Sequence, residues 1–198
     1  EITTRLVGSE MCIRDRSVGM DRDSVFQCEE LSQMSIPVLL LNLALRNKNA
    51  VVLQKNVLLN EVQKVYKLSK SDEFSDIEVV DTYEENATDV VISNPPYSLK
   101  WEPKSDPRFE GYDLAPAKAS DYAFVLDGLS RLSDVGKAFY ILPAGVLFRG
   151  NAEGRIRKQL IENNLIDAVI SLPENMFLNT CIPVSYTHLR AHETRSNL

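Results

Sequence analysis

The segment Asn94-Pro95-Pro96-Tyr97 constrains the fold of this chain more than any other feature, because it fixes where a strand must end. The preceding run, residues 89–93, carries three β-branched residues in succession, as buried strands do. Proline lacks a backbone N–H and cannot continue a strand through the interior of a sheet. The 94–97 segment is therefore predicted to lie at the carboxyl end of a buried strand, where open α/β sheets bind their ligands.

The 94–97 segment carries groups that suit a planar amine. The side-chain carbonyl of Asn94 and the backbone carbonyl of Pro95 can both accept hydrogen bonds from an NH2 group on an aromatic ring. Two such bonds localise the nitrogen lone pair for attack, so no titrating base is required. The ring of Tyr97 offers a face on which a base can stack. The same four residues are also ordinary loop punctuation, so by themselves they leave a plain turn equally open.

Strand and helix patterns alternate along the chain. The predicted strands are residues 24–28, 50–54, 89–93, 137–142 and 165–172, and the predicted helices are residues 36–46, 120–132 and 153–163. Residues 60–86 are charged and weakly patterned, and we expect a partly helical excursion there. Residues 98–118 contain three prolines and are expected to form a long loop. The alternation predicts a doubly wound, mostly parallel α/β sheet.

Charge and cysteine content limit the classes of function that this chain can have. The 198 residues carry a net charge of -6, unlike a basic DNA-binding module, so a nucleic-acid substrate would need a local basic patch or a partner subunit. No apolar run is long enough to span a membrane. The three cysteines form no CxxC pair, which favours a reducing compartment, the cytoplasm, and makes a zinc site unexpected. Both histidines lie in the last eleven residues, so a histidine-based mechanism is unsupported.

Several separated motifs follow the 94–97 segment in a characteristic order. They are SDYAF at residues 120–124, LPAGVLFR at residues 142–149 and ISLPENMF at residues 170–177. Together with the 94–97 segment, they resemble the methyltransferase subunit of type I restriction-modification systems over about residues 20–184.

The resemblance implies methylation of adenine N6 in DNA, with S-adenosylmethionine as cofactor and the target base flipped out of the duplex. Asn94 and Pro95 would bind the amine, Pro96 would set the turn and Tyr97 would stack on the extruded base. The implied partners are DNA and the specificity and restriction subunits of the same system. The resemblance also implies the fold of the S-adenosylmethionine-dependent methyltransferases.

Two further residues acquire a cofactor role from the resemblance. Glu30 falls where the family places an acid after the second strand, and a carboxylate can accept hydrogen bonds from both ribose hydroxyls. Asn56 lies after the third strand, where the family usually has Asp; its carbonyl can still accept from the adenine amine of the cofactor. Outside the family context, each is an ordinary turn residue.

Two aromatic residues are candidates for contact with the base. Phe177 could wall the base pocket or belong to the core, and Trp101 could contact the base or anchor its loop. A basic cluster could meet DNA phosphates, although a basic helix face is usually just solvated. This cluster comprises Arg149, Arg155, Arg157 and Lys158.

The chain departs from the family near its start. The family opens with a glycine-rich turn after the first strand, whereas none of the eight glycines here forms a G-x-G. Residues 1–16 and 185–198 resemble translated sequencing-adapter read-through. We therefore expect residues 17–184 to form a partial catalytic domain that lacks its first and last strands, and we expect this chain to bind S-adenosylmethionine weakly or not at all.

Two alternatives stay open at the level of sequence. The 94–97 segment could act on another planar amine, such as a glutamine side chain of a translation release factor, although the motifs at 143–149 and 170–177 argue against it. The missing glycine turn and Asn56 are also compatible with a non-catalytic remnant or an interaction module.

Overall fold

The computed structural model describes residues 3–7, 24–173 and 184–190. The chain forms two compact units, Glu1–Ser93 and Asn94–Leu198. The boundary falls immediately before Asn94, so the 94–97 segment opens the second unit.

The first unit is built on six strands in the order β5-β4-β3-β2-β1-β6. They are β1 Thr3–Val7, β2 Val25–Glu30, β3 Asn49–Asn56, β4 Glu61–Ser69, β5 Asp76–Val80 and β6 Thr88–Ser93. Strand β1 pairs in parallel with β2 and β6, and β2 pairs in parallel with β3. The carboxyl ends of these four strands therefore share one edge of the sheet, as predicted for the ligand-binding edge of an α/β protein.

Helix α1, Ile36–Leu45, forms the core of the first unit with the sheet. Its Leu39 and Leu43 are buried in one cluster with Phe26, Cys28 and Val52 of the strands. Burial, followed by the neighbouring charge of Glu29, raises the pKa of the Cys28 thiol far above its usual range. Cys28 is thus a protonated core residue.

The prediction of a partly helical excursion over residues 60–86 is wrong. Strands β4 and β5 occupy this stretch, and they pair antiparallel with each other and with β3. Asn60 has φ 56° in the turn between β3 and β4, a left-handed conformation that asparagine tolerates. Strand β4 is stabilised by its pairing with the preceding strand, β3. Its own charged sequence gives little indication of that pairing.

The second unit contains two longer helices and three strands in the order β7-β9-β8, all paired antiparallel. They are α2 Asp121–Leu129, β7 Leu132–Pro143, α3 Asn151–Glu162, β8 Ile166–Ser171 and β9 Val184–Arg190. Short 3-10 turns occur at Pro107–Phe109 and Ala144–Leu147. Leu132 begins β7, although its spacing predicted the last turn of the helix before it.

The sequence analysis expects the first and last strands to be missing, whereas strands β1 and β9 are present in the structure. Residues 3–7 lie between β2 and β6, and residues 184–190 lie between β7 and β8. Strand pairing is made by main-chain groups, which every sequence carries except at proline. The presence of these strands therefore gives no information about the origin of the terminal residues. The assignment of residues 1–16 and 185–198 as adapter-like stays a prediction.

Within the described ranges, no helix is long and apolar enough to cross a membrane. Among the α-helices of the described residues, α1 is the most apolar and has ten residues. Its length is about 15 Å, about half the thickness of a bilayer core.

Candidate active site

The 94–97 segment follows β6 directly, so its strand is the one predicted from sequence. Strand β6 ends at Ser93, and Val91 within it is fully buried. Pro95 is buried, Pro96 is exposed and Tyr97 is half-buried. The segment thus leaves a buried strand at the carboxyl edge of the sheet and comes partly to the surface.

Asn94 and Tyr97 are joined by a hydrogen bond. The Tyr97 hydroxyl donates to Asn94 Oδ1 at 3.0 Å, which orients the side-chain carbonyl. A carbonyl oxygen has two lone pairs, so this bond leaves acceptor capacity for an incoming amine. Burial raises the pKa of Tyr97, so its hydroxyl keeps its proton, and remains a donor, throughout the neutral pH range.

The turn after Tyr97 is tied to helix α2. Ser98 has φ 50° and its backbone N–H donates to Asp121 Oδ1 at 2.9 Å. Asp121 is fully buried and also accepts from Arg149. Sequence reasoning quoted Asp121 only as part of the SDYAF motif and assigned it no role, and it named Arg149 only as a candidate for contact with phosphates. An acid inside the otherwise apolar start of a predicted helix was the available signal.

Trp101 is held within the loop that follows. Its backbone N–H donates to the carbonyl of Ala117 at 3.0 Å, and its indole N–H donates to the carbonyl of Pro116 at 3.1 Å. Its ring meets Phe109 edge to face, with centroids 5.9 Å apart. These contacts are those of a loop anchor, and contact between Trp101 and a base stays a prediction.

A buried ion-pair network fastens the same loop to α2. Arg108 lies 2.8 Å from a carboxylate oxygen of Asp106 and 2.7 Å from one of Asp127. Arg131 lies 3.3 Å from the same oxygen of Asp127. Burial alone would lower the pKa of Arg108, but hydrogen bonds and charge from Asp106 and Asp127 outweigh it, and the pKa is raised. The loop is therefore held at several points.

The two predicted cofactor residues lie in the first unit, at the last positions of neighbouring parallel strands. Glu30 ends β2 and Asn56 ends β3. Glu30 Oε1 accepts from the N–H of Ser32 at 2.8 Å, and Asn56 Oδ1 accepts from the N–H of Leu59 at 3.3 Å. Each side chain is half-buried and presents oxygen acceptors. They fit a ligand that donates hydrogen bonds from ribose hydroxyls and an adenine amine.

A buried ion pair connects the same two strand ends. Lys55 Nζ lies 3.5 Å from Glu29 Oε1, and both side chains are fully buried. Gln27 donates to the same Glu29 oxygen at 3.0 Å. Glu29 and Lys55 are the immediate neighbours of Glu30 and Asn56, so the pair helps to fix the positions of the predicted cofactor residues. Sequence reasoning did not identify this pair, because alternate residues of a strand carry no sign of their cross-strand partners.

The basic cluster is largely engaged within the second unit. Arg157 donates to the carbonyls of Val146 at 2.8 Å and Arg149 at 3.1 Å. Arg155 pairs with Asp113, and Lys158 lies 3.6 Å from Glu162. Arg149 is bound by two carboxylates. These contacts favour a structural role for the cluster over phosphate binding.

Two predicted features lie outside the described residues. Phe177 is one, and its proposed contact with the base stays a prediction. The other is most of residues 1–16, the segment in which the chain is expected to lack the family's glycine-rich turn; only residues 3–7 of this segment are described.

Solved structures identify the class of protein that this fold defines. The methyltransferase subunit of a type I restriction-modification system from Streptococcus thermophilus superposes with a TM-score of 0.78 at 33% identity, covering 99% of this chain and 40% of that one. A class I S-adenosylmethionine-dependent methyltransferase from Listeria monocytogenes shares the fold alone, with a TM-score of 0.64 at 16% identity, over 100% of this chain and 56% of that one. The fold is the α/β fold of the S-adenosylmethionine-dependent methyltransferases.

Sequence comparison then gives the family. The N-6 DNA Methylase model matches residues 8–197, and the chain belongs to this family. The MpnII type I methylase subunit of Mycoplasma pneumoniae is 40% identical over 120 residues, which are 57% of this chain and 22% of that protein. The MjaIX methylase subunit of Methanocaldococcus jannaschii is 30% identical over 129 residues, or 58% of this chain and 23% of that protein. The chain therefore spans less than a quarter of these curated relatives.

Proposed function

We propose that this chain is part of an adenine-N6 DNA methyltransferase that serves as the modification subunit of a type I restriction-modification system. The observation that carries the proposal is the orientation of Asn94 by Tyr97, in a segment that directly follows a buried parallel strand. Membership of the N-6 DNA methylase family supports it, as do relatives that are named type I methylase subunits.

The proposed chemistry needs hydrogen-bond acceptors rather than a base. The adenine amine would donate one N–H to Asn94 Oδ1 and the other to the carbonyl of Pro95. These bonds draw the lone pair of N6 out of conjugation with the ring and towards the methyl donor. Tyr97 would stack on the flipped base, and its hydroxyl bond to Asn94 ties the stacking group to the amine-binding group. The methyl group would pass from the sulfur of the donor, which would leave as a neutral thioether, to N6, and one N6 proton would leave to solvent.

S-adenosylmethionine is the proposed methyl donor, and when bound it supplies an electrophilic methyl group on its sulfonium. Glu30 would accept from its ribose hydroxyls and Asn56 from its adenine amine. The half-buried carboxylate and amide at the ends of two adjacent parallel strands support these assignments. Asn in place of the family's usual Asp provides the acceptor without the charge, so we expect Asn56 to contribute less than Glu30.

DNA recognition is proposed to rest on partner subunits. The chain carries a net charge of -6, and the four side chains of the basic cluster are engaged with carboxylates and carbonyls of the same chain. A specificity subunit would supply the contacts to the target sequence, and the restriction subunit would complete the system. The names of the relatives, which describe subunits of type I restriction enzymes, support this assignment over methylation of a protein glutamine.

The substitution Asn94→Ala tests the proposal. In the full-length methylase assembled with its specificity subunit, we expect methyl transfer to DNA to fall by at least about 100-fold, because one of the two groups that polarise the amine is lost. The affinity for S-adenosylmethionine, measured by calorimetry, should stay close to that of the unchanged enzyme. Transfer is measured with labelled methyl donor, and N6-methyladenine is identified by mass spectrometry of the digested DNA.

The matched control is Asn86→Ala, which makes the same change at an exposed position in the connection between β5 and β6. It should leave methyl transfer unchanged. Equal transfer by the Asn94→Ala and Asn86→Ala enzymes would contradict the mechanism. Label found on protein glutamine rather than on DNA would favour the alternative substrate.

A further inference from the structure

We propose that Asp121, Arg149 and Glu153 are positioning residues that hold the turn at Ser98, and so keep Asn94 and Tyr97 in the geometry required for methyl transfer. The inference rests on the proposed function for its catalytic consequence. The three residues, called the Asp121–Arg149–Glu153 cluster below, come from α2, from the end of the LPAGVLFR motif and from α3.

The cluster acts on a backbone conformation that needs support. Ser98 has φ 50°, the left-handed region, which disfavours residues with a Cβ. Such a residue persists where the surrounding structure determines its conformation. Its N–H donates to Asp121 Oδ1 at 2.9 Å, so a fully buried carboxylate fixes the main chain one residue after Tyr97.

Arg149 connects the turn to both carboxylates. Its Nη2 lies 2.6 Å from Asp121 Oδ2, its Nε lies 2.8 Å from Glu153 Oε2, and its Nη1 lies 3.3 Å from Ser98 Oγ. The side chains of Asp121 and Glu153 are 0% and 5% exposed, and that of Arg149 is 30% exposed. Burying a carboxylate is costly unless it is paired, so Arg149 stabilises both acids.

The guanidinium of Arg149 is itself supported by neighbouring groups. A Cβ on Gly145 would lie 3.1 Å from Arg149 Nη1, so glycine at this position leaves room for the guanidinium. Arg157 donates to the Arg149 carbonyl at 3.1 Å. Burial alone would lower the pKa of Arg149, but Glu153 and Asp121 outweigh it and raise the pKa, so Arg149 stays charged. The cluster therefore forms a supported unit rather than a mobile surface pair.

Stability alone does not account for this arrangement. Well-packed apolar residues in place of a buried ionic cluster are often neutral or stabilising, so such a cluster calls for a reason beyond folding energy. Here both direct bonds to the backbone or hydroxyl of Ser98 come from the cluster. Pro95 and Pro96 stiffen the chain between Asn94 and Tyr97, so a shift at Ser98 would be carried to both functional side chains. Displacement of a reacting group by about 1 Å can reduce a rate by about 100-fold.

The test is Arg149→Lys, with Arg155→Lys as the matched control. Lysine keeps the charge that the buried acids need but cannot bridge both of them and Ser98 as the planar guanidinium does. Arg155 makes an exposed ion pair with Asp113 on the same unit. In the full-length methylase we expect Arg149→Lys to lower kcat by about 10- to 100-fold. The KM values for DNA and S-adenosylmethionine and the melting temperature should stay close to those of Arg155→Lys.

A second readout follows the turn itself. In this chain, without DNA or cofactor, hydrogen exchange of the Ser98 amide measured by NMR should be slow in the unchanged protein and faster in Arg149→Lys. Asp121→Asn is the second variant if Arg149→Lys does not fold, because it keeps the shape of the side chain and an acceptor for Ser98 but loses the charge. It should also speed exchange at Ser98.

The outcomes separate this inference from the proposed function. An unchanged enzyme that methylates no DNA counts against the proposed function. Unchanged exchange of the Ser98 amide in the variants overturns the role of the cluster, whatever the activity. A loss of kcat that is accompanied by an equal loss of melting temperature relative to Arg155→Lys would also overturn it, because the effect would then be one of general stability.

Discussion

At the residue scale, the hydroxyl of Tyr97 has a role that its ring alone does not explain. It donates to Asn94 Oδ1 at 3.0 Å and therefore sets which end of the Asn94 amide is available as acceptor. The ring and the hydroxyl can be separated experimentally, because phenylalanine keeps the stacking face and removes the donor. Tyr97 is thus expected to contribute to methyl transfer through its hydroxyl and through its ring, and each contribution has its own expected free energy.

We predict that Tyr97→Phe weakens methyl transfer moderately and that Tyr97→Ala weakens it much more. Loss of the hydrogen bond should cost about 0.5–1.5 kcal/mol of transition-state stabilisation. Loss of the ring should cost a further 1–3 kcal/mol, roughly the value of a base stacked on an aromatic side chain. Both losses of transition-state stabilisation are obtained from the kcat/KM values of the full-length methylase and its variants. Tyr66→Phe on β4 makes the same change in the first unit and is the control; equal activity of Tyr97→Phe and Tyr97→Ala would contradict a stacking role.

At the element scale, the local patterns located β2, β3, β6 and the helices but missed β1 and the hairpin of β4 and β5. Strands β2, β3 and β6 were visible as apolar runs because both faces of a central strand are covered. Strand β4 buries Val65 and Leu68 but exposes most of its other residues, so its sequence resembles a surface excursion. Its identity as a strand depends on hydrogen bonds to β3, which local sequence does not encode.

We predict that Leu68→Ala destabilises the protein by about 2–5 kcal/mol, the usual effect of emptying a core position. Leu68 is 2% exposed and belongs to the cluster formed by α1, β2 and β3. Leu59→Ala is the control, since Leu59 is 41% exposed in the turn before β4, and it should change the free energy of unfolding by less than about 0.5 kcal/mol. Urea denaturation measures both; equal effects would show that β4 does not pack on the core in this register.

At the scale of the whole molecule, the net charge of the chain bears on whether it can recognise DNA without a partner. The net charge is -6, and proteins that bind DNA without assistance generally present an excess of basic residues. The side chains that looked like a phosphate-binding cluster are paired within the chain. Recognition of DNA by this chain alone is therefore not expected.

We predict that this chain shows no saturable binding to duplex DNA at micromolar protein and an ionic strength of about 0.15 M, where non-specific affinities of binding proteins are roughly 10⁻⁴ to 10⁻⁶ M. The reason is that few phosphates would be neutralised. Fluorescence anisotropy of a labelled duplex measures the affinity, and the full-length methylase with its specificity subunit is the positive control. Submicromolar binding by the chain alone, weakening linearly in log salt, would contradict the proposed dependence on partners.

The sequence by itself determined the 94–97 segment, the strand that precedes it, the α/β class and the family, because these depend on residue identities and on periodicities along a continuous stretch. The tertiary structure alone decided the bond between Tyr97 and Asn94, the ion pair of Glu29 with Lys55 and the support of Ser98 by Asp121 and Arg149. Ser98, Asp121 and Arg149 are separated by more than twenty residues at each step, and folding brings them together. A charge on a strand or helix has the same appearance in sequence whether it faces solvent or a buried partner, and only the packing of distant elements distinguishes the two.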